Sequence, residues 1–307
     1  MTAMTALRFL APLVFVAGGA LISAQTLLPS SPPKQFGGSV TPAYEGWFDN
    51  PDGTHSFLLG YYSRNTVEEV DVPIGPNNRF EPGSPDMGQP THFLPSRRYG
   101  MFLVTVPKEF GRTQKLTWTL TVNGVTTSIP FYMSPDYNIT PTQSSEESVD
   151  GGYNLPPVLR FDPEGPRFPG PFASPARMAS RTAVVGTPMT LQLWADDDAR
   201  HSSGSGTPLR TAPPPVTLMV SKYRGPGAVT FSDARPAMEA LRGGKPDEPF
   251  AGKASTAVSF SAPGDYMLHV TANDYSGNGG GGFACCWTTA LVKVTVKASG
   301  PTLTGNP

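Results

Sequence analysis

The sequence predicts an all-β protein built from two β-sandwich domains, and three observations support this fold class. Apolar and polar residues alternate through several short stretches, most clearly in residues 257–296, and a period of two is typical of strands with one buried face. Turn-forming residues are abundant, with 33 glycines and 35 prolines among 307 residues. Charged residues make up 15% of the chain, below the ~25% of ordinary soluble domains. These features favour many short strands joined by turns over helices.

Residues 1–24 are predicted to be a secretory signal peptide. Arg8 precedes a short apolar stretch that ends in small residues at Ala24, an order typical of a cleaved export signal. The stretch is shorter than the ~20 apolar residues of a membrane span, and a retained N-terminal anchor is the alternative. We therefore expect a mature chain that begins at Gln25 and is secreted, periplasmic or at the cell surface. Residues 25–37 are predicted to form a flexible leader.

Residues 38–134 predict the first β-sandwich domain. The clearest local signal is a pair of alternating stretches, Leu116–Val122 and Val125–Phe131, separated by Asn123-Gly124. Asn-Gly between two alternating stretches predicts a type I′ hairpin. A two-residue loop sets the register, which places the apolar side chains of both strands on one face.

Residues 135–178 predict a Pro-rich linker between the two domains. Proline-rich segments without periodicity are typical of extended, semi-rigid spacers, while a Pro-rich ligand for an aromatic groove is the alternative. Residues 179–298 predict the second β-sandwich, and residues 299–307 a flexible tail. Within this domain residues 233–250 are predicted to be an insertion, with one or two helical turns at 236–242 stopped by Gly243 and Gly244.

The second domain resembles the polycystic-kidney-disease (PKD) type immunoglobulin-like repeat. The segments that carry the resemblance are residues 186–191, the acidic residues 196–198, residues 220–231 and residues 260–274. The most specific of these contains Pro263-Gly264, Tyr266 and an alternating strand that ends in Ala272-Asn273-Asp274. The resemblance implies an immunoglobulin-like sandwich that serves as an extracellular spacer, adhesion or ligand-presenting module, and it implies no enzyme. The first domain shows no such resemblance.

An acidic group at one end of the second domain predicts a structural Ca²⁺ site. In an immunoglobulin-like sandwich the loops after the second and sixth strands lie at the same end. Calcium binds six to eight oxygen ligands, which two such loops would supply. A solvated acidic loop is the alternative, and no other cofactor is predicted. The candidate ligands are Asp196, Asp197, Asp198, Asn273 and Asp274.

Cys285 and Cys286 are adjacent, and the chain has only two cysteines. Export to an oxidising compartment favours a disulfide between them, although consecutive Cα atoms lie closer than the 4.4–6.8 Å usual for a disulfide. Two thiols, intermolecular bonds and a soft metal site are the alternatives. An adjacent disulfide would either stiffen the loop beneath Trp287 or form a rigid apolar surface for recognition.

Several aromatic residues are candidates for ligand contact. Trp47, Tyr61, Tyr62 and Trp287 offer rings that stack on a sugar, although such residues more often fill a core. Tyr266 is predicted to form a tyrosine corner, in which the hydroxyl bonds to nearby backbone.

The histidines and their basic neighbours predict little chemistry. His92, Arg97 and Arg98 lie close together in the sequence and suggest an anion or sugar contact, with an ordinary loop as the alternative. His269 is predicted to face solvent. No motif for nucleophilic or acid–base catalysis is present.

Taken together, the sequence predicts an exported, non-enzymatic protein for surface structure, adhesion or assembly through protein or glycan contacts. A carbohydrate-binding accessory protein is the alternative, and a redox protein that uses the two cysteines is the third hypothesis. The formal net charge of −1 gives no indication of nucleic-acid binding. Membrane contact is expected only through the signal segment if it stays uncleaved.

Overall fold

The computed structural model describes residues 32–140, 154–199, 214–245, 248–274 and 286–299. The chain divides into a unit of Met1–Pro32, of which only Pro32 is described, and a unit of Pro33–Pro307, to which the following account applies. The predicted signal peptide, most of the predicted leader and the C-terminal tail beyond residue 299 lie outside the described residues. Within those ranges no helix is long and apolar enough to cross a membrane.

The described residues form an all-β fold, as predicted, with one short 3-10 helix at Pro135–Tyr137. The strands of the first sandwich are β1 (Val40–Asp49), β2 (His55–Ser63), β3 (Val70–Asp71), β4 (Asn78–Glu81), β5 (His92–Phe93), β6 (Ser96–Val106), β7 (Leu116–Val122) and β8 (Val125–Phe131). Those of the second are β9 (Val158–Arg160), β10 (Phe168–Pro169), β11 (Met178–Val184), β12 (Met189–Asp197), β13 (Thr217–Arg224), β14 (Val229–Phe231), β15 (Glu239–Arg242), β16 (Phe250–Phe260), β17 (Gly264–Asn273) and β18 (Trp287–Lys297).

The first sandwich consists of two three-stranded sheets, in the orders β1-β2-β6 and β4-β7-β8, with β3 and β5 paired beside them. Alternate residues of each strand point inward and form an aromatic core in which Phe80 stacks on Trp118 at 5.6 Å between ring centroids. The indole N–H of Trp118 donates to Asn78 at 2.9 Å. The Asn78 amide in turn donates to two backbone carbonyls, so this buried polar group is satisfied.

The predicted Asn-Gly hairpin is confirmed. Asn123 and Gly124 have φ angles of 50° and 77°, as a type I′ turn requires. Val122 pairs with Val125, and the register continues to the pair Leu116 and Phe131. Leu116, Trp118, Leu120, Val122 and Phe131 consequently contribute to one core.

The second sandwich packs a six-stranded sheet, β10-β9-β12-β16-β14 with β15 added to β16, against the four-stranded sheet β11-β18-β17-β13. Strand β11 runs parallel to β18, and the other pairs within these two sheets are antiparallel. The predicted tyrosine corner is confirmed, since the buried Tyr266 hydroxyl donates to the carbonyl of Ala262 at 2.8 Å. The inward faces of both sheets share one aliphatic core.

Two segments differ from their predicted structure. Residues 154–178, predicted as part of a linker, instead pack onto the second sandwich, where β9 pairs with both β10 and β12. Residues 239–242, predicted as helical, form β15, because hydrogen bonding to the edge of β16 satisfies a backbone that a short helix would leave open. In both cases a neighbouring strand edge determines the conformation.

The two sandwiches pack directly against each other. Tyr223 of β13 lies within the core of the first sandwich, and its hydroxyl donates to the carbonyl of Gly88 at 2.6 Å. His269 of β17 is fully buried and stacks on Tyr223, with its Nε2 atom 3.0 Å from the carbonyl oxygen of Met101. The prediction that His269 faces solvent was wrong, because the outer face of this sheet is covered by the first sandwich.

Candidate functional site

Two adjoining cavities lie where the sandwiches meet. The arginine cavity has a volume of about 370 Å³, and its lining includes Arg98, Met101, Leu218, Met219, Arg235 and Trp287. The histidine cavity has a volume of about 440 Å³, and its lining includes Glu69, Asp71, His92, Ser221 and Lys222. Arg98, Met219 and Arg235 line both cavities. The junction therefore forms one cleft with two chemically different halves.

Irregular pairing of β6 places Arg98 in this cleft. In the register of β6 against β2, Arg98 lies opposite Tyr61 and Phe102 lies opposite Leu59. Residues 99–101 of β6 therefore lie opposite Gly60 alone. Extra residues of this kind bend a strand and re-aim its side chains. Gly100 within the bulge has a φ of 48°, and a Cβ atom there would lie 2.5 Å from the Trp287 ring. The bulge thus needs glycine both for its backbone conformation and for the close approach of Trp287.

The arginine cavity contains cations that are not matched by carboxylates. The Arg98 guanidinium donates to the carbonyl of Pro95 at 3.1 Å and contacts the sulfur of Met219 at 3.4 Å. In the part of the chain that the structure describes, Arg98 and Arg235 form no ion pair with a carboxylate. Burial lowers the pKa of Arg98, and the like charge on Arg235 lowers it further.

Trp287 lines the same cavity with its ring, and its indole N–H is a buried donor beside Gly100. Its side chain is 3% exposed, and its Nε1 atom has no hydrogen-bond partner among the described residues. Buried donors are normally paired, and leaving one unpaired costs about 1–3 kcal/mol. The two arginines, Arg98 and Arg235, give this cavity a set of donors that suits an anionic group.

The histidine cavity has matched charges instead. His92 places Nδ1 3.0 Å from Asp71 and Nε2 3.0 Å from Glu69. The buried Lys222 ammonium lies 2.9 Å from the same Asp71. Burial alone would raise the pKa of Asp71, but the hydrogen bonds from Lys222 and His92 hold it below its ordinary value. This network joins β3 and β5 to β13, so its charges connect the two sandwiches.

The cleft lacks the geometry of a nucleophilic active site within the described residues. Ser221 lines the histidine cavity, yet its hydroxyl has no hydrogen-bond partner. His92 directs both ring nitrogens to carboxylates and so leaves no nitrogen to accept a proton from a nucleophile. Binding of an anionic group is the chemistry that the arrangement supports best.

Most of the aromatic candidates lie in the core. Trp47 is 6% exposed and donates from Nε1 to the carbonyl of Ser134 at 2.6 Å. Tyr61 is fully buried, and its hydroxyl accepts from the Leu94 N–H at 2.8 Å. Tyr62 is half-buried beneath Arg64, whose Cζ lies 5.4 Å from the ring centroid. Of the four candidates, only Trp287 lines a cavity described above.

The five predicted calcium ligands do not all converge. Asp196 forms ion pairs with Arg160 and Arg167 at 3.1 and 3.4 Å, and Asn273 lines the arginine cavity. Asp197 and Asp274, in contrast, interact electrostatically, with Asp198 close by. Across the described residues, no group of three or more His, Cys, Asp or Glu side chains is placed to hold a metal ion.

Cys286 lies beside this acidic end. Its sulfur is 3.3 Å from the carbonyl oxygen of Asn154, and its own carbonyl accepts from the Asp274 N–H at 3.4 Å. Cys285 lies outside the described residues, so the predicted disulfide stays a prediction.

Sequence reasoning identified half of the cleft. His92, Arg97 and Arg98 were recognised as a candidate anion contact, and Arg98 does line both cavities. Arg97 also lines the arginine cavity, and its guanidinium pairs with Glu45 at 2.6 Å. Arg235 and Met219 were missed, because they come from a distant part of the chain and no local pattern marks them.

Comparison with known proteins adds little to this description. No protein-family profile matches the chain, and no curated protein matches it, so the resemblance to the PKD repeat stays a prediction. Among solved structures, the adhesin InvE of Yersinia pseudotuberculosis aligns with 85% of this chain at 11% identity and a TM-score of 0.21. The endo-fucoidan hydrolase MfFcnA4, from glycoside hydrolase family 107, aligns with 88% at 14% identity and a TM-score of 0.22. The chain covers 59% and 30% of these two proteins, and both TM-scores are far too low to show a shared fold.

Proposed function

We propose that this chain is an exported, non-enzymatic protein of surface adhesion or assembly, and that it binds an acidic segment of a partner protein in the arginine cavity. The observation that carries the proposal is the pair of cations there, Arg98 and Arg235, which have no carboxylate partner among the described residues. An aspartate or glutamate side chain, or a C-terminal carboxylate, would accept from them. The predicted signal peptide supports export.

The apolar lining favours a peptide over a glycan. Met101, Met219 and Met238 contribute to the arginine cavity beside Val216 and Leu218. Methionine side chains adapt to varied apolar partners, so they suit the aliphatic part of a peptide. Sugar binding typically uses exposed aromatic rings, whereas the Trp47 and Tyr61 rings are buried.

A rigid junction supports binding without catalysis. The cleft walls are held by buried contacts such as the Tyr223 hydroxyl to Gly88 and His269 to Met101. A pre-formed cavity avoids part of the ordering cost of association. The chain is therefore suited to hold a partner in a fixed orientation, as assembly and adhesion require.

The test is peptide binding measured by fluorescence anisotropy on the full chain. Labelled short peptides that combine Glu or Asp with Leu or Met are compared with versions that carry Gln or Asn instead. We expect acidic peptides to bind, and Arg98→Gln and Arg235→Gln each to weaken binding about tenfold, because each removes a charge-assisted hydrogen bond.

Arg112→Gln is the matched control, since Arg112 is exposed and lies in a loop of the first sandwich outside both cavities. It should leave the affinity unchanged. Equal binding of the acidic and amide peptides would contradict the proposal. Binding of glycans on an array, with loss in Arg98→Gln and no peptide binding, would instead support the carbohydrate-binding alternative.

A further inference from the structure

The end of the second sandwich places two carboxylates between its sheets. Alternate residues of β12 point into the core, and Asp197 follows Leu193 and Ala195 on this inward face. Asp274 comes directly after β17 and continues the inward face that includes Ala272. One carboxylate therefore extends from each sheet toward the other.

The Asp197 carboxylate is buried with one oxygen unused. The side chain is 8% exposed, and its Oδ2 atom accepts from the Ala199 N–H at 2.8 Å. Its Oδ1 atom is buried and has no hydrogen-bond partner among the described residues. A buried carboxyl oxygen without a partner is costly, so this atom indicates a ligand independently of the number of acidic residues nearby.

The surroundings of Asp197 add negative charge. Asp274 is 3% exposed, and its Oδ2 atom accepts from the Asn154 amide at 2.6 Å. Asp198 accepts from the Leu155 N–H at 3.3 Å. Burial raises the pKa of Asp197 to about 8, and the charges of Asp274 and Asp198 add to the rise. A cation between the two sheets would give the open Oδ1 atom of Asp197 a partner.

From this geometry we infer that Asp197 and Asp274 bind a calcium ion that connects the two sheets of the second sandwich. Calcium accepts carboxylate, amide and main-chain oxygens in a flexible arrangement and retains water ligands. Two carboxylates therefore suffice as the charged part of the site. The site lies apart from the cleft and does not depend on the proposed peptide binding.

Thermal unfolding of the full chain tests this inference. The protein is treated with a chelator, dialysed, and heated with and without about 5 mM CaCl₂, a concentration above the affinity range of extracellular calcium modules. We expect calcium to raise the midpoint by about 5 °C, because an ion that binds only the folded state stabilises it. MgCl₂ at the same concentration should have a smaller effect, since magnesium requires stricter octahedral geometry.

Two variants locate the effect. Asp197→Asn keeps the shape of the side chain, removes its charge and should abolish the calcium shift. Asp196→Asn is the matched control, because Asp196 pairs with Arg160 and Arg167 instead, and it should retain the shift. Metal analysis after dialysis against calcium gives a second measurement, with one ion per wild-type chain expected and none in Asp197→Asn. An unchanged wild-type midpoint, or a shift of full size in Asp197→Asn, would overturn the inference.

Discussion

The two halves of the cleft contain similar residue types but differ in how their charges are balanced. In the histidine cavity, His92 and Lys222 lie within 3.0 Å of Asp71. In the arginine cavity, Arg98 has no carboxylate partner among the described residues and donates to the carbonyl of Pro95 instead. Matched charges connect the two sandwiches, whereas unmatched donors are available to a ligand. In this cleft, the balance of charged groups, more than cavity volume, separates a structural contact from a binding site.

The largest expected effect comes from removing a buried contact that joins the two sandwiches. Tyr223→Ala deletes a fully buried ring and the hydroxyl bond to Gly88, and we expect it to cost about 3–5 kcal/mol. Chemical denaturation measures this loss. Tyr223→Phe is the control and should cost about 1 kcal/mol, since it removes only the hydrogen bond. A small effect of Tyr223→Ala would show that the sandwiches do not depend on this contact.

The next largest effect is a pH dependence of the free energy of unfolding, caused by His269 at the junction of the two sandwiches. Burial lowers the pKa of His269 to about 4, below its ordinary value of 6.5. The unfolded chain binds the proton more readily between these values, so the contribution of neutral His269 is complete above about pH 6.5 and is lost toward pH 4. The full change is on the order of 3 kcal/mol.

The variant His269→Gln isolates this contribution from other titrating groups. The free energy of unfolding is measured against pH for both proteins, and the wild type should lose stability relative to the variant as the pH falls. Parallel curves would contradict the assignment of His269 as a buried neutral group.

A smaller loss of folding stability is expected from a change in the histidine cavity. Asp71→Asn leaves the Lys222 ammonium, which is 8% exposed, without its carboxylate. Because Asp71 itself is 58% exposed and screened by solvent, we expect a loss of about 1–2 kcal/mol. Asp265→Asn, which changes an exposed carboxylate paired with Lys293, is the control and should give no measurable change in denaturation. An equal response of the two variants would remove the distinction between matched junction charges and surface charges.

The smallest effect on folding stability is expected from a change in the arginine cavity. Arg98→Gln removes a charge that has no carboxylate partner, so the free energy of unfolding should change by no more than about 0.5 kcal/mol. The same variant should lose about tenfold in affinity for acidic peptides. Denaturation and anisotropy on one preparation measure both quantities. A loss of stability as large as that of Asp71→Asn would make Arg98 a structural residue.

The parts of the fold that depend on local chemistry could be predicted from the sequence. Asn123-Gly124 determines a hairpin through its own backbone preferences, and Tyr266 bonds to a carbonyl four residues away. The face of β17 that carries His269 could not be assigned in this way. Alternation shows that one face of the strand is apolar, but it does not show that a second sandwich covers the other face.

The candidate site could be predicted only in part, for the same reason: the sequence does not show which distant residues pack together. Arg98, near His92, and Trp287 were each predicted separately as contact residues, whereas Arg235 was not predicted, because it joins them only through packing of distant parts of the chain. Asp197 and Asp274 were predicted to meet because immunoglobulin-like topology places their loops at one end. Their separation from Asp196 and Asn273 follows from side-chain alternation along β12 and β17.

The central claim is that unmatched donors at the sandwich junction bind an acidic peptide, and the indole N–H of Trp287 reports on it most directly. In a ¹⁵N-correlated NMR spectrum, saturating acidic peptide should move the Trp287 indole resonance, because the Trp287 ring lines the cavity that the peptide fills. The indole resonances of Trp47 and Trp118, which already donate to Ser134 and Asn78, should stay in place. A Trp287 resonance that does not move while the peptide saturates the protein would contradict the account.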